Sequence, residues 1–415
     1  MDEKLESAKK ILKKYNQEHL LTFYDELPDA KKEILLEQIL NTNFDLIQTL
    51  FNSTKISEQT DLSTVEPIPY VDKFKLSNEE LSEYTKIGTD IIKQNKFAVL
   101  TMAGGQGTRL GHKGPKGSFT LELDSNKSIF EILCNNLKSA QKKYGVTIPW
   151  YLMTSNENNT ATIKFFEDNN YFDYPKEAFT FFIQGELPML DTDGNIILNE
   201  NGLLKLASDG HGGIFEAMFK NNVLKDMQSK NIEWIFISGV DNILAKLVDP
   251  SFIGICIKNG SLAGGKSVVK SGPEEKVGVF CKKLGKPSVI EYTEISKEMC
   301  NMRDSNDELM YGESHIICNL FNIKAIENIS KNSLPYHSAF KKANYMNGHK
   351  ELVVAEEPNS YKFEAFIFDA FSRLDNMTIY RVKREEEFAP VKNAKGVDSP
   401  ETAKNLYLNY TKKDV

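Results

Sequence analysis

The sequence is poor in residues that crosslink a chain or anchor it in a membrane. Its 415 residues include five cysteines, which lie far apart and form no C-x-x-C pair of the kind that binds structural zinc or performs redox chemistry. No stretch approaches the roughly 18–20 uncharged apolar residues that span a bilayer. The amino terminus carries charges every few residues and lacks the apolar core of a signal peptide. These absences predict a cytoplasmic protein with reduced thiols and no membrane partner.

The sequence also lacks an excess of positive charge. Its 51 Lys and Arg residues face 58 Asp and Glu residues, a formal net charge of −7. A modestly acidic surface repels a polyphosphate backbone, so nucleic acid is not expected as a partner, whereas a small anion in one basic pocket is compatible with this charge. With 40% hydrophobic and 26% charged residues, the chain has the composition of a globular protein of about two or three domains.

The first part of the chain carries a helical pattern. Apolar residues recur at helical spacing through residues 3–53 and again over 77–94. Between them, residues 54–70 are polar, contain two prolines and predict a linker. We therefore predict a helical amino-terminal region over residues 1–94.

The pattern changes after Lys96, where short apolar runs alternate with helix-length segments. After the first run, FAVLTM, others lie at Trp150–Met153, Phe179–Ile183, Ile232–Ser238, Val277–Cys281 and His315–Leu320. A turn signal at 284–287 indicates a hairpin. The alternation predicts a Rossmann-like α/β domain over 95–375, with a mixed, mostly parallel sheet flanked by helices. A short carboxyl-terminal region over 376–415 follows.

The most informative segment follows the first apolar run. Residues 101–118 read TMAGGQGTRLGHKGPKGS. Glycines after a strand let the backbone approach a ligand and direct N–H groups at negative oxygen, and Arg109, Lys113 and Lys116 supply positive charge. The segment therefore predicts a phosphate-binding loop; a solvated loop with coincidental basic residues is the alternative.

Two common phosphate-binding motifs do not fit this loop. The dinucleotide motif G-x-G-x-x-G, started at Gly105, meets Leu110 where its third glycine belongs. The P-loop motif fails because Gly117 is followed directly by Ser118. A nicotinamide-dependent oxidoreductase is thus disfavoured, since it would need that glycine and would leave Lys116 unexplained. A non-catalytic helical adaptor formed by the amino-terminal helices remains an alternative role for that region.

The segment A-G-G-Q-G-T-R-L-G followed by P-K-G resembles the UDP-sugar pyrophosphorylase family, and within it the UDP-N-acetylglucosamine pyrophosphorylases. Further segments that resemble this family follow in the same order between residues 97 and 405. They are Ile148–Ser155, Phe182–Gly185, Ser208–Gly213, Val240–Lys246, Asp249–Gly254, Val289–Ile295 and Arg384–Asn393. The resemblance implies that residues 95–375 form a catalytic nucleotidyltransferase domain.

The reaction that this resemblance implies joins UTP and N-acetylglucosamine 1-phosphate into UDP-N-acetylglucosamine and pyrophosphate. A sugar-phosphate oxygen attacks the α-phosphorus of UTP in line with the departing pyrophosphate, assisted by Mg²⁺ or by Mn²⁺ in its place. Such a protein needs no nucleophile of its own, but it must hold two polyanions together and neutralise their charge. The implied partners are UTP and a sugar 1-phosphate, and we expect a monomer.

The resemblance also implies roles for individual residues. Arg109 and Lys116 are the predicted catalytic residues, which grip the departing phosphates. Asp241, directly after an apolar run, is the predicted metal ligand, and a capping role is the alternative. The predicted nucleotide-binding residues are Met102, Ala103, Gly104, Gly105, Lys116, Gln184 (on the uracil ring), Gly210, Asp241 and Lys362. The predicted sugar-phosphate-binding residues are Ala103, Gly104, His211, Glu291, Tyr292, His315 and Lys392.

The sequence departs from the family pattern at two histidines. His211 stands in Asp-Gly-His-Gly-Gly and His315 in Ser-His-Ile, where an asparagine is usual in each case. Related UDP-glucose and broad-specificity enzymes carry Gly-His-Gly at the first position. A UTP–glucose-1-phosphate uridylyltransferase, or a broad-specificity UDP-sugar pyrophosphorylase, is therefore the alternative function.

Overall fold

A computed structural model describes residues 2–55, 61–123 and 126–412. The α-helices are α1 (Asp2–Tyr15), α2 (Asp29–Asn41), α3 (Phe44–Ser53), α4 (Asn78–Lys93), α5 (Ile129–Tyr144), α6 (Asn159–Asp168), α7 (Ile214–Lys220), α8 (Val223–Ser229), α9 (Pro250–Lys258), α10 (Lys297–Asn301), α11 (Ile323–Ile329), α12 (Arg384–Glu387) and α13 (Pro400–Thr411). Within the described ranges, no helix is both long and apolar enough to cross a membrane.

The strands are short apart from a few that form the centre of a large sheet. They are β1 (Val65–Pro67), β2 (Tyr70–Asp72), β3 (Phe97–Met102), β4 (Trp150–Thr154), β5 (Phe179–Ile183), β6 (Glu186–Pro188), β7 (Leu206–Ser208), β8 (Trp234–Gly239), β9 (Ala263–Val269), β10 (Val279–Lys283), β11 (Lys286–Ile290), β12 (Glu313–Asn322), β13 (His337–Lys341), β14 (Tyr345–Met346), β15 (Leu352–Val353), β16 (Ser360–Glu364) and β17 (Thr378–Arg381).

These elements form two compact units, each made from separate stretches of the chain. The smaller unit takes its described residues from Met1–Gln59, Gly185–Gly213 and Leu334–Phe366, and the larger from Thr60–Gln184, Ile214–Ser333 and Ile367–Val415. The predicted boundaries at residues 94 and 375 divide the chain differently. The predicted boundaries mark where the pattern of apolar and polar residues changes along the chain. The two units also depend on which distant segments pack together.

The smaller unit contains the first three of the predicted amino-terminal helices, whereas α4, predicted as the helix over residues 77–94, belongs to the larger unit. Each of α1, α2 and α3 buries one apolar face in a shared core, as the periodicity predicts. Two glutamines join this region to later parts of the chain. The buried Gln17, just after α1, accepts a hydrogen bond at Oε1 from the Ile196 amide at 2.9 Å, and the half-buried Gln38 of α2 accepts one at Oε1 from the Leu204 amide at 3.0 Å. The core residues are Ala8, Leu12, Leu20, Phe23, Tyr24, Leu35, Leu36, Ile39, Phe44, Ile47, Leu50, Leu190, Ile196, Leu198, Leu204 and Phe363.

The larger unit is built on a mixed sheet with the strand order β2-β17-β9-β12-β8-β3-β4-β5. Seven of these eight strands run in the same direction, and β12 alone is antiparallel to its neighbours β8 and β9. The antiparallel strands β1, β10 and β11 attach beside β12. The predicted mixed, mostly parallel sheet flanked by helices is confirmed, as is the hairpin, which joins β10 to β11.

The central strands are recognisable in the sequence because they are buried on both faces. Every residue of β3, FAVLTM, is buried, and so is every residue of β4, WYLMT. A strand covered by helices on both faces has no reason to alternate apolar and polar residues, so it appears as a continuous apolar run. The carboxyl ends of β3, β4, β5 and β8 therefore meet at one edge of the sheet, where open α/β sheets bind their ligands.

The antiparallel strand β12 brings its amino-terminal end to that same edge. His315 pairs with Ser267 of β9, and Cys318 pairs with Ser238 of β8. The register of β12 against β9 shifts between His315 and Asn319, and Ile317 adopts a φ of 53°, a conformation that a β-branched residue rarely adopts. The regular pairing with β9 is therefore interrupted just after His315.

The predicted linker over residues 54–70 is wrong in its second half. Val65–Pro67 forms β1 against β10, and Tyr70–Asp72 forms β2 at the end of the large sheet beside β17. Residues 56–60 lie outside the described part of the chain. The prolines misled the prediction because an outer strand with one partner tolerates a residue that cannot donate to a ladder.

Candidate active site

The glycine-rich loop begins where β3 ends and folds back on itself. The amide of Gly107 donates to Gly114 O at 3.0 Å, and the amide of Lys116 donates to Gly105 O at 3.1 Å. Two short 3₁₀ turns, Thr108–Leu110 and Lys116–Ser118, occupy the two halves of the loop. The loop thus has a defined shape that places Lys116 close to the end of β3.

Backbone amides at the start of this loop are available to a ligand. The amide of Ala103 continues the sheet and donates to Met153 O at 2.7 Å. The amides of the next three residues, Gly104, Gly105 and Gln106, donate to no group in the part of the chain that the structure describes. Successive amides of this kind form a site for an anion, and they lie at the ligand-binding edge of the sheet.

Positive side chains lie close to one another beside these amides. Lys116 is largely buried, and its Nζ lies 4.0 Å from Asp241 Oδ2. Burial lowers the pKa of the Lys116 ammonium, and the Asp241 carboxylate opposes this effect. The charges of Lys392 and Arg109 are near enough to lower the pKa of Lys116 further. Three cations therefore repel one another here, and an anionic ligand would relieve that repulsion.

Asp241 follows β8, the neighbour of β3, and joins two segments of the site. The amide of Val240 donates to Met102 O at 3.1 Å, and Asp241 O accepts from the Val391 amide at 2.9 Å. The second bond brings the segment that carries Lys392 alongside Asp241. The predicted residues Arg109, Lys116, Asp241 and Lys392 are thus gathered at one edge of the sheet.

A buried asparagine that the sequence analysis did not single out holds this arrangement. Asn242 donates from Nδ2 to Glu387 O at 2.8 Å and accepts at Oδ1 from the Ala389 amide at 2.9 Å. Both partners are backbone groups almost 150 residues away. Any residue type can supply a backbone partner, so no sequence motif indicates these two hydrogen bonds. The only signal in the sequence is the position of Asn242 next to Asp241.

Asp398 is a second residue that the sequence analysis missed. Its carboxylate lies 3.9 Å from Lys392 Nζ, and its carbonyl accepts hydrogen bonds from the amides of Lys392 at 2.6 Å and Asn393 at 3.0 Å. Its φ of 56° is one that aspartate tolerates better than most residues. Burial raises the pKa of the Asp398 carboxyl; Lys392 opposes this, and Asp241 adds to it. Asp398 thus closes a loop that begins at Lys392.

Gln184, the residue predicted to contact uracil, packs against Gly104. Its amide donates to Thr154 O at 2.9 Å, which continues the sheet one residue beyond β5. A Cβ added at Gly104 would stand 2.7 Å from Gln184 Oε1. A Cβ there would crowd the carboxamide, so the glycine lets the predicted pair lie together.

Two of the residues predicted to bind the sugar lie on either side of Gly278. The amide of His315 donates to Gly278 O at 2.9 Å, and Glu291 Oε1 lies 2.8 Å from the place of a Cβ on Gly278. His315 Nε2 lies 3.2 Å from Asn319 Oδ1, and its ring contacts the Phe280 ring edge-on at a centroid distance of 4.9 Å. Tyr292, by contrast, is exposed.

The remaining predicted residues, Gly210, His211 and Lys362, belong to the smaller unit. Gly210 has a φ of 86°, and a Cβ there would stand 2.4 Å from the Ala365 carbonyl oxygen, so glycine is required. The His211 ring lies 5.4 Å from the Phe366 ring. Lys362 Nζ forms an ion pair with Glu364 at 2.8 Å.

Asp241 is the residue predicted to hold a divalent cation. In residues 2–55, 61–123 and 126–412, no group of three or more His, Cys, Asp or Glu side chains could form a metal site. Mg²⁺ commonly takes one or two protein carboxylates and fills its other positions with water and substrate phosphates. A single, partly exposed carboxylate beside the glycine-rich loop fits Mg²⁺ or Mn²⁺ better than it fits zinc, which prefers three or four protein ligands.

The chain is similar to proteins of one known family. The family model described as UTP–glucose-1-phosphate uridylyltransferase matches residues 40–403. The chain belongs to this family. The match includes the glycine-rich loop, Asp241 and Lys392, and it confirms the predicted relationship to the UDP-sugar pyrophosphorylases.

Relatives in this family cover nearly the whole chain. The chain is 36% identical over 427 residues to UDP-N-acetylhexosamine pyrophosphorylase-like protein 1 of Xenopus tropicalis, covering 98% of this chain and 84% of the relative. It is 36% identical over 410 residues to UDP-N-acetylglucosamine pyrophosphorylase of Saccharomyces cerevisiae, covering 96% and 85%. The crystal structure of the uridine diphosphate N-acetylglucosamine pyrophosphorylase from Trypanosoma brucei matches with a TM-score of 0.82 at 29% identity, covering 98% and 84%.

Proposed function

We propose that the chain is a uridylyltransferase that joins UTP and N-acetylglucosamine 1-phosphate into UDP-N-acetylglucosamine and releases pyrophosphate. The observation that carries this proposal is the row of three available amides at the end of β3, bordered by Arg109, Lys116 and Lys392. Family membership gives the reaction class, and the names of the yeast and trypanosome relatives supply the sugar.

In this proposal the loop binds the phosphates of UTP, with Met102 and Ala103 at the nucleotide and the amides from Gly104 onward at phosphate oxygens. Lys116 and Arg109 neutralise the charge that grows on the departing pyrophosphate. Such electrostatic stabilisation, with positioning, is the main contribution that a protein makes to phosphoryl transfer. Gln184, held against Gly104, hydrogen-bonds the uracil ring.

Lys392 binds the sugar 1-phosphate and holds its oxygen in line for attack on the α-phosphorus. The hydrogen bonds of the Val391 amide to Asp241 and of the Lys392 amide to Asp398 keep this lysine beside the loop. Because the attacking oxygen comes from the substrate, the reaction needs no protein nucleophile, and orientation of the two substrates supplies much of the rate.

Asp241 would hold Mg²⁺, or Mn²⁺ in its place. When bound, such an ion neutralises phosphate charge and orients the triphosphate. Its carboxylate is partly exposed at the carboxyl end of β8, and Lys116 lies 4.0 Å away. Asp241 therefore has oxygen available for a cation in the place where the phosphates are expected.

Glu291 and His315, brought to either side of Gly278, recognise the hydroxyl and acetamido groups of the sugar. A role for the exposed Tyr292 in the same subsite stays a prediction. The roles of Gly210, His211 and Lys362, in the smaller unit, also stay predictions.

The proposal is tested by assays that measure pyrophosphate release from UTP with the 1-phosphates of N-acetylglucosamine, N-acetylgalactosamine and glucose. We expect the largest kcat/KM for N-acetylglucosamine 1-phosphate. Release of pyrophosphate with none of the three sugars would contradict the proposed reaction class.

His211 favours a second candidate, a UTP–glucose-1-phosphate uridylyltransferase or a broad-specificity enzyme. Its Gly-His-Gly setting is that of the UDP-glucose and broad-specificity enzymes, and the family model carries the name of the glucose reaction. A larger kcat/KM for glucose 1-phosphate would select this candidate, and near-equal values for all three sugars would select the broad-specificity form.

A further inference from the structure

One buried side chain outside the loop is hydrogen-bonded to the backbone that carries the available amides. Asn158 stands just before α6 and is 0% exposed. Its Nδ2 donates to Ala103 O at 2.9 Å and to Gly105 O at 3.3 Å. Its Oδ1 accepts from the Ser155 amide at 2.9 Å, so the carboxamide has a fixed orientation.

These bonds determine the direction of two amides in the loop. In a trans peptide, the carbonyl and the N–H of the same peptide group point in opposite directions, and the described residues contain no cis peptide bond. Holding the carbonyl of Ala103 therefore turns the amide of Gly104 away from Asn158. Holding the carbonyl of Gly105 does the same for the amide of Gln106.

The two amides oriented in this way belong to the row that donates to no described group. Gly105 O also accepts from the Lys116 amide at 3.1 Å. One carbonyl is therefore shared by Asn158 and Lys116, so Asn158 also restrains the peptide that precedes the Lys116 side chain. Glycine is flexible, and a glycine-rich loop without such a restraint would have to be ordered by its ligand at an entropic cost.

We infer that Asn158 is a positioning residue for UTP, which aims the amides of Gly104 and Gln106 at the triphosphate before the nucleotide arrives. The inference rests on the proposed binding of UTP by the loop. It adds a residue from the segment between β4 and α6 that neither the motif analysis nor the family comparison assigns. Because Asn158 is fully buried, it acts on the nucleotide through the loop and is not a catalytic residue.

The test replaces Asn158 by a side chain of the same shape that cannot donate. In Asn158→Asp, one oxygen can still accept from the Ser155 amide, whereas the other faces the carbonyls of Ala103 and Gly105 and repels them. We expect the Kd for UTP, measured by calorimetry on the full chain, to rise about tenfold or more. Two hydrogen bonds are lost, Ala103 O is left without a donor, and Gly105 O keeps only the Lys116 amide.

Two further variants separate positioning from folding. Asn158→Ala removes the donor without adding repulsion, so its Kd for UTP should lie between those of wild type and Asn158→Asp. Asn169→Asp is the matched control: at the other end of α6, Asn169 Nδ2 donates to Phe165 O at 2.8 Å, and the same donor is lost. It should keep the wild-type Kd for UTP.

Hydrogen exchange of the peptides that cover residues 103–107, measured without ligand, gives a readout that catalysis does not influence. Faster exchange in both Asn158 variants, but not in Asn169→Asp, supports a loop that Asn158 orders. Affinities are compared well below the unfolding temperature of every variant.

The inference is overturned if Asn158→Asp binds UTP like wild type, if Asn169→Asp loses as much affinity, or if neither Asn158 variant folds. If wild type itself binds no UTP, the proposed function fails first, and the failure is thereby distinguishable from that of Asn158 alone.

Discussion

Replacing Glu387 by glutamine should destabilise the larger unit by about 3 kcal/mol, at the lower end of the cost of breaking a buried ion pair. Glu387 is 2% exposed and pairs with the fully buried Lys266, while Lys73 and Lys246 lie 3.8 Å and 3.7 Å from its other oxygen. The variant keeps the size of the side chain but removes its charge. The buried ammonium of Lys266 then keeps only Asp249, at 2.9 Å, which is why we expect the smaller cost.

Urea unfolding followed by tryptophan fluorescence measures this loss. Both tryptophans, Trp150 in β4 and Trp234 in β8, are buried in the larger unit, so the signal reports on the unit that contains the ion pair. The midpoint should fall with little change in the slope. A loss of 3 kcal/mol corresponds to about a hundredfold change in the folding equilibrium.

Glu386→Gln is the matched control, because it removes the same charge from the next residue. Glu386 is partly exposed and lies 3.7 Å from Lys246, a kind of pair that contributes about 1 kcal/mol or less. Equal midpoints for Glu387→Gln and Glu386→Gln would refute the argument that burial gives this ion pair its importance.

Two further predictions concern acid and metal. Burial alone would raise the pKa of the Asp249 carboxyl, but Lys266 and Lys73 hold that pKa well below its ordinary range. The charged Asp249 therefore stabilises the fold at pH values above the ordinary aspartate pKa, and this stabilisation is lost as the pH falls below that value. The stability of wild type should therefore fall more steeply than that of Asp249→Asn between about pH 5 and about pH 3, measured by urea unfolding; parallel curves would contradict this. Asp241→Asn should lose most activity and need about tenfold or more Mg²⁺ for half-maximal rate; an unchanged Mg²⁺ requirement would remove Asp241 as a ligand.

The central strands were predictable because burial on both faces leaves a strong signal in the sequence. Phe179–Ile183 was predicted with the bounds that β5 has, and the helical character of residues 3–53 is confirmed. β1 and β2 were missed because strands of three residues are too short to show a period. Their pairing depends on partners more than 200 residues away.

Some residues of the candidate site could likewise be predicted from the sequence, and others could not. The residues of the glycine-rich loop, with Asp241 and Lys392, were found because they lie within sequence motifs. Asn158 and Asn242 were missed because their side chains form hydrogen bonds with backbone carbonyls or amides of distant residues. Any residue type can supply such a backbone group, so no sequence motif indicates the pairing. Motifs thus reveal the glycines and charged residues of the loop more readily than the residues that hold the loops in place.

The position of β12 has a consequence for synthesis on the ribosome. Its neighbours β8 and β9 are complete by residue 269, but β12 begins at Glu313. Until that segment emerges, the sides of β8 and β9 that β12 will cover remain unpaired, and open strand edges promote aggregation. Nascent chains stalled after β9 but before β12 has left the ribosome should therefore depend on chaperones far more than chains stalled after β12 has emerged.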